Sequence, residues 1–154
     1  IVAKKHGCDL AVFYNSMAVA YSNKDNHKKA LDFYTKAIRL NKENAAYYCN
    51  RGCSYDDIDK LDEALKDYAR AIEIDDEFYE AYFNRNFTYD KLWKIETDEV
   101  KKKQYIQNRM NDLKKAIELN PNNHSAYEKR AEAHNVMLRS GKARKDLIKS
   151  QQIL

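Results

Sequence analysis

Cys49 and Cys53, four residues apart, are the closest approach this sequence makes to a metal-binding or nucleophilic pair. Thiolates at that spacing share a helix face and can serve a metal only if further ligands join them. No histidine lies near them in sequence, and His6, His27, His124 and His134 share no ligand spacing with one another. With Cys8 there are 3 cysteines, so not all can pair, and thiols on adjacent turns are poorly placed to bridge. They read as free thiols of a reducing, cytoplasmic compartment and as small apolar side chains. Asp56-Asp57 and Asp75-Asp76 read as helix-end acids, not as an acid/base couple. The 3 glycines can hardly build a phosphate-cradling loop. No enzymatic activity, cofactor or metal site is expected. Asn50 and Asn84 carry a different chemistry. An amide donates and accepts together, so it can grip a peptide backbone whatever the side chains of that peptide.

Those asparagines sit at one fixed interval from each other, inside "AIRLNKENAAYYCNR" (37–51) and "AIEIDDEFYEAYFNR" (71–85). At the same interval Ala30-Leu31 meets Ala64-Leu65, Tyr34 meets Tyr68, and Ala37 meets Ala71. Tyr14, Tyr48 and Tyr82 align, as do Tyr21, Tyr55 and Tyr89. After Asp90 the register slips, and it resumes eleven positions late through Ala116, Leu119 and Tyr127. Spacings of three, four and seven place these residues on helix faces, two amphipathic helices to a unit. Asparagine- and aspartate-rich breaks separate the units, and Pro121 cannot continue a helix. One proline in 154 residues, with so few glycines, argues for an all-α chain. A hydrophobic share of 44% against 34% charged suits a soluble domain with one core. No apolar run approaches the roughly 18 residues a membrane crossing needs.

The pattern resembles the tetratricopeptide repeat (TPR) family. Small residues stand at position eight of three units (Ala18, Gly52, Ala131), aromatic ones at position eleven (Tyr21, Tyr55, Tyr89, and His134 in the fourth), alanines at position twenty of three units (Ala30, Ala64, Ala143), and small residues at position twenty-seven (Ala37, Ala71, Ala116, Ser150). The resemblance implies a right-handed superhelical stack of antiparallel helix pairs. Its units are 11–44, 45–78, 79–123 with the insertion, and a partial 124–154; residues 1–10 form a lead-in, read as the end of a preceding repeat. Asn86 and Arg109 break the small-residue rule, which predicts looser packing in the third unit. Eleven residues make about three helical turns, so they can lengthen the second helix of that unit from a start near Thr97-Asp98-Glu99. The alternative is a loop insertion. Ala143, Leu147 and Ile153 continue the register of a second helix in the fourth unit.

In this family the first helix of each unit lines a concave groove. The resemblance places Asn15, Val19, Cys49, Asn50, Cys53, Glu80, Phe83, Asn84 and Phe87 there. The thiols and phenylalanines form an apolar strip with an asparagine beside each pair, which suits an extended peptide or an amphipathic helix of a partner protein. The competing reading is that Asn-Arg is repeat consensus and that the phenylalanines pack between units. Family members that hold acidic chaperone tails use a carboxylate clamp at the positions of Asn15, Val19, Asn50, Glu80 and Asn84. Only Asn50 agrees, so clamp-type binding is expected to be weak or absent. From His124 onward, seven Lys or Arg face three Asp or Glu, and Arg139, Lys142, Arg144, Lys145 and Lys149 make a basic end. Nucleic-acid binding there is the weaker reading, since no aromatic platform interleaves with the charges. No membrane partner is expected. Self-association or packing on flanking domains, through an end without a polar cap, is the alternative function.

Overall fold

The computed structural model describes residues 2–151, with side chains described from Leu10 to Arg139. Seven helices follow in order: α1 Val2–Ser22, α2 His27–Leu40, α3 Ala45–Asp57, α4 Leu61–Ile74, α5 Tyr79–Ile95, α6 Glu99–Leu119 and α7 His124–Gln151. Among the described residues there is no strand, and no helix is long and apolar enough to cross a membrane. Residues 2–10 are helical and continuous with the rest of α1.

The sequence builds the pairs from short signals. Asn26, Asn44 and Asn123 accept backbone N–H groups at the starts of α2, α3 and α7. Asp25 and Asp59, at equivalent places in the first two units, take the left-handed conformation (φ 56° and 57°) and turn the first helix into the second. Within each pair the small residues allow close approach: Ala18, Ala30, Ala64, Ala71 and Ala116 have no exposed surface. Gly52 marks the tightest place, where a Cβ would stand 3.0 Å from the Tyr68 ring. The first helices of successive units touch, α1 with α3 and α3 with α5, whereas the second helices make no comparable contact. The stack therefore closes on the side of the first helices.

The third unit keeps a three-residue connection, as the second does, so its extra length is helical. α5 has 17 residues against 13 in α3, and α6 has 21 against 14 in α4. The length is shared between both helices rather than confined to the second. Trp93 stands where Asp25 and Asp59 make the turn, and a tryptophan does not favour that conformation, so α5 runs on. The extension is held by Tyr89 stacked on Tyr105 and by Lys102 over Trp93. Asn86 and Arg109, expected to loosen this unit, are both buried.

α7 departs from the expected second pair. It is one continuous helix of 28 residues. Leu138 occupies the turn position there, within "VMLR", a run of residues without a glycine or asparagine to leave the helix.

Asp98 caps α6 by accepting the N–H groups of Val100 (2.8 Å) and Lys101 (3.0 Å). These bonds, that to Lys101 first, hold its carboxyl below the ordinary aspartate range. A depressed folded-state value contributes stability above the ordinary range and loses it as pH falls through the depressed value. Asp98→Ala is expected to lower Tm by a few degrees near pH 7. The gap to the wild type should close in acid. A pH-independent gap in thermal melts followed by circular dichroism would count against the cap.

Candidate functional site: a polar and aromatic groove

Three first helices bring most of the groove residues together. The Asn50 amide on α3 donates to Asn15 Oδ1 on α1 at 3.2 Å. One repeat later the Asn84 amide on α5 donates to Cys53 Sγ at 3.2 Å and toward Cys49 Sγ at 3.6 Å, both on α3. Each asparagine thus reaches back to the preceding unit with one N–H. Beside them Phe83 and Phe87 meet edge to face at 5.3 Å, and Tyr79 stacks on Phe83 at 5.6 Å. The Asn123 amide donates to the Tyr79 hydroxyl and ties this aromatic line to the fourth unit. A cleft of about 160 Å³ opens among Cys53, Asp56, Asp57, Tyr68, Asn84 and Phe87. Val19 and Glu80 are exposed, and the Glu80 carboxylate makes no hydrogen bond or ion pair among the described residues. A wider depression of about 410 Å³ at the inter-unit turns, around Asn44, Asp75 and Phe78, holds none of these residues.

The thiols are not equivalent. Cys49 is buried and Cys53 half-buried, both free. The bond between them raises Cys49, together with burial, and lowers Cys53, which also receives the Tyr68 hydroxyl at 3.4 Å. Asp56 carries a raised carboxyl, chiefly because burial strips its water, although Lys91 lies 3.5 Å away. The Lys91 ammonium also donates to the Asp56 carbonyl at 2.7 Å. Asp90 is met by Lys94 at 2.7 Å and by Arg109 at 2.5 Å, and Glu132 by Lys129 at 2.9 Å. Asp56, Asp57, Asp59, Glu80, Asp90, Glu128 and Glu132 make seven carboxylates on or beside the groove. Lys91, Lys94, Arg109 and Lys129 make four cations. The groove region sums to −3 in a chain whose net charge is +4.

The sequence pattern did not show the ion pairs that hold the groove helices to their backs. Arg51 forks onto Asp67 with two bonds of 2.7 Å and reaches Thr35 at 3.2 Å. Arg85 forks onto Asp112 at 2.7 and 2.8 Å. Each guanidinium lies between two tyrosine rings, Tyr48 and Tyr55 or Tyr82 and Tyr89. The recurring Tyr…Arg…Tyr is therefore a structural clamp. An aspartate just before Tyr68 and before Leu113 was the available signal. Its interval from the arginine is 16 residues in the second unit and 27 in the third, the difference being the insertion. Arg109, read from the sequence only as a break in the small-residue rule, bridges α5 and α7 from α6. In the basic end, Arg139 is exposed, while the side chains of Lys142, Arg144, Lys145 and Lys149 lie outside the described residues.

An all-helical stack with paired helices, close small-residue contacts and an open face along the first helices is a helical-repeat protein-interaction scaffold. The tetratricopeptide repeat matches residues 11–44 and 45–78, so residues 11–78 are two TPR units, and the described helices as a whole have the fold of a TPR helical-repeat stack. Among solved structures it is similar to the TPR domain of Arabidopsis OM64, at 25% identity and TM-score 0.73 over 84% of this chain and 98% of that one. The first TPR of Spaghetti (RPAP3), bound to the HSP90 peptide SRMEEVD, is similar at 21% identity and TM-score 0.76, over 85% and 98%. The second TPR domain of human RPAP3, in complex with the HSP70 peptide SGPTIEEVD, is similar at 21% identity and TM-score 0.69, over 85% and 98%. No curated protein matches the chain.

Proposed function

We propose that the chain is a non-enzymatic scaffold of a reducing, cytoplasmic compartment that holds a peptide or amphipathic helix of another protein along Asn50, Asn84 and the Cys49–Cys53–Phe83–Phe87 strip. The observation that carries this reading is the pair of bridging asparagines. The Asn50 amide is bound to Asn15 and the Asn84 amide to the two thiols, and neither carbonyl oxygen accepts a bond among the described residues, so each keeps an acceptor for a backbone N–H of a ligand. The apolar side chains between them supply surface to bury. An acidic chaperone peptide such as SRMEEVD does not suit this face, because Glu80 and the surrounding carboxylates repel a carboxylate tail.

The test is capture from extract of the source cell by wild type and by Asn50→Ala/Asn84→Ala, with helicity checked by circular dichroism. A protein held by the wild type and lost by at least tenfold from the folded double variant is the expected result. Equal capture by both would remove the groove as the site. In parallel, labelled SRMEEVD peptide should show no saturable anisotropy change at micromolar protein. Tight binding of that peptide would overturn the charge argument alone.

A further inference from the structure

Unit four contains the parts of a helix pair without its turn. Arg130 holds the position of Arg51 and Arg85, and Asp146 follows it at the same interval that separates Asp67 from Arg51. Ala143, Leu147 and Ser150 hold the positions of Ala64, Tyr68 and Ala71. In the two preceding units this arginine and this aspartate meet across the helix pair at 2.7 Å. Here α7 is a single helix, and a rise of about 1.5 Å per residue sets the two positions about 24 Å apart along it. Arg130 has no carboxylate partner among the described residues; its guanidinium rests 5.3 Å from the Tyr127 ring.

The face that a second helix covers elsewhere is open. Tyr127 is 40% exposed and Ala131 is exposed, whereas Tyr48 is half-buried and Gly52 buried. Met137 and Leu138 are exposed as well. The occupant of such a face needs a small–large–small stripe with a carboxylate one residue before the large member, and residues 142–151 spell it out. One straight helix cannot fold onto itself, but two antiparallel copies can each cover the other. Arg130 with Asp146 and Ala131 with Leu147 are both centred on Leu138–Arg139, so a two-fold axis there preserves the contacts of the second unit.

We propose that α7 is exchanged between two copies of this chain: residues 142–151 of one complete the fourth unit of the other, with Arg130 facing the partner's Asp146. This inference stands apart from the groove reading.

Multi-angle light scattering on wild type, Arg130→Glu, Asp146→Arg and an equal mixture of the two variants tests it. The wild type should be a dimer at micromolar concentration, and each variant should dissociate at least tenfold more readily. The mixture should regain the dimer, because the two substituted positions then meet with opposite charges and the two native ones do too. If unit four closes within one chain, mixing restores nothing, and that result overturns the exchange. So does a wild type that stays monomeric at all concentrations. A second variant guards against misfolding: Leu138→Asp/Arg139→Gly installs a turn, and it should give a folded monomer of unchanged helicity. A dimer as tight as the wild type's would again overturn the proposal.

Discussion

Asp112→Ala is expected to lower the unfolding free energy by about 3–5 kcal/mol in a urea titration. The Asp112 side chain is 5% exposed and that of Arg85 18%, and two short bonds join them. Burial pushes the Asp112 carboxyl up against the pull of the guanidinium, while for Arg85 the bonds to Asp112 outweigh burial and raise it further. The pair is costly to break whatever its net worth, since alanine leaves a guanidinium enclosed by Tyr82 and Tyr89 without its counter-charge. A domain of this size has only about 5–15 kcal/mol in total. Arg85→Met/Asp112→Leu, which removes both charges, should recover most of the loss. Asp67→Ala should cost less than Asp112→Ala, because Arg51 retains Thr35. A loss under about 1 kcal/mol for Asp112→Ala would mean that water reaches the pair in solution.

What the sequence made legible follows from what is local or periodic. The helix pairs announce themselves through alanines and tyrosines at the repeat interval, because a repeat must present the same face to each neighbour. The sharing of the insertion between α5 and α6 needed a subtler signal, the replacement of Asp25 and Asp59 by Trp93, and the same signal at Leu138 foretold the unbroken α7. Arg109 misled for a different reason. A long polar residue at a small position reads as disorder in the packing, yet it is 4% exposed and its two terminal nitrogens pair with Asp90 and Glu132. Those partners lie 19 and 23 residues away on other helices, beyond any local pattern. The groove is similar: position alone placed Asn50 and Asn84 on one face, but the reach of each back to Asn15 or the thiols exists only once the units stack.

Tyr68→Ala should cost about 3–5 kcal/mol, the ordinary effect of deleting a fully buried aromatic ring. Tyr68 is 1% exposed, and its ring fills the space that Gly52 leaves open. Tyr68→Phe keeps the ring and should cost no more than about 1 kcal/mol, the value of one neutral hydrogen bond. Its effect should appear in the groove. Cys53 is lowered first by its bond with Cys49 and then by the Tyr68 hydroxyl, while burial opposes both. Losing the hydroxyl raises the thiol, reduces its thiolate at a given pH and should slow alkylation of Cys53 by iodoacetamide several-fold at about pH 8. Cys49, raised and buried, should label later than Cys53 in both proteins. Mass spectrometry of timed alkylation reads both rates. If Cys49 labels first, or if Tyr68→Phe is as unstable as Tyr68→Ala, the tyrosine does not link the core of the second unit to the groove. If the ring governs stability and the hydroxyl governs the thiol, one residue of a second helix sets both the spacing of its pair and the chemistry on the far side of it.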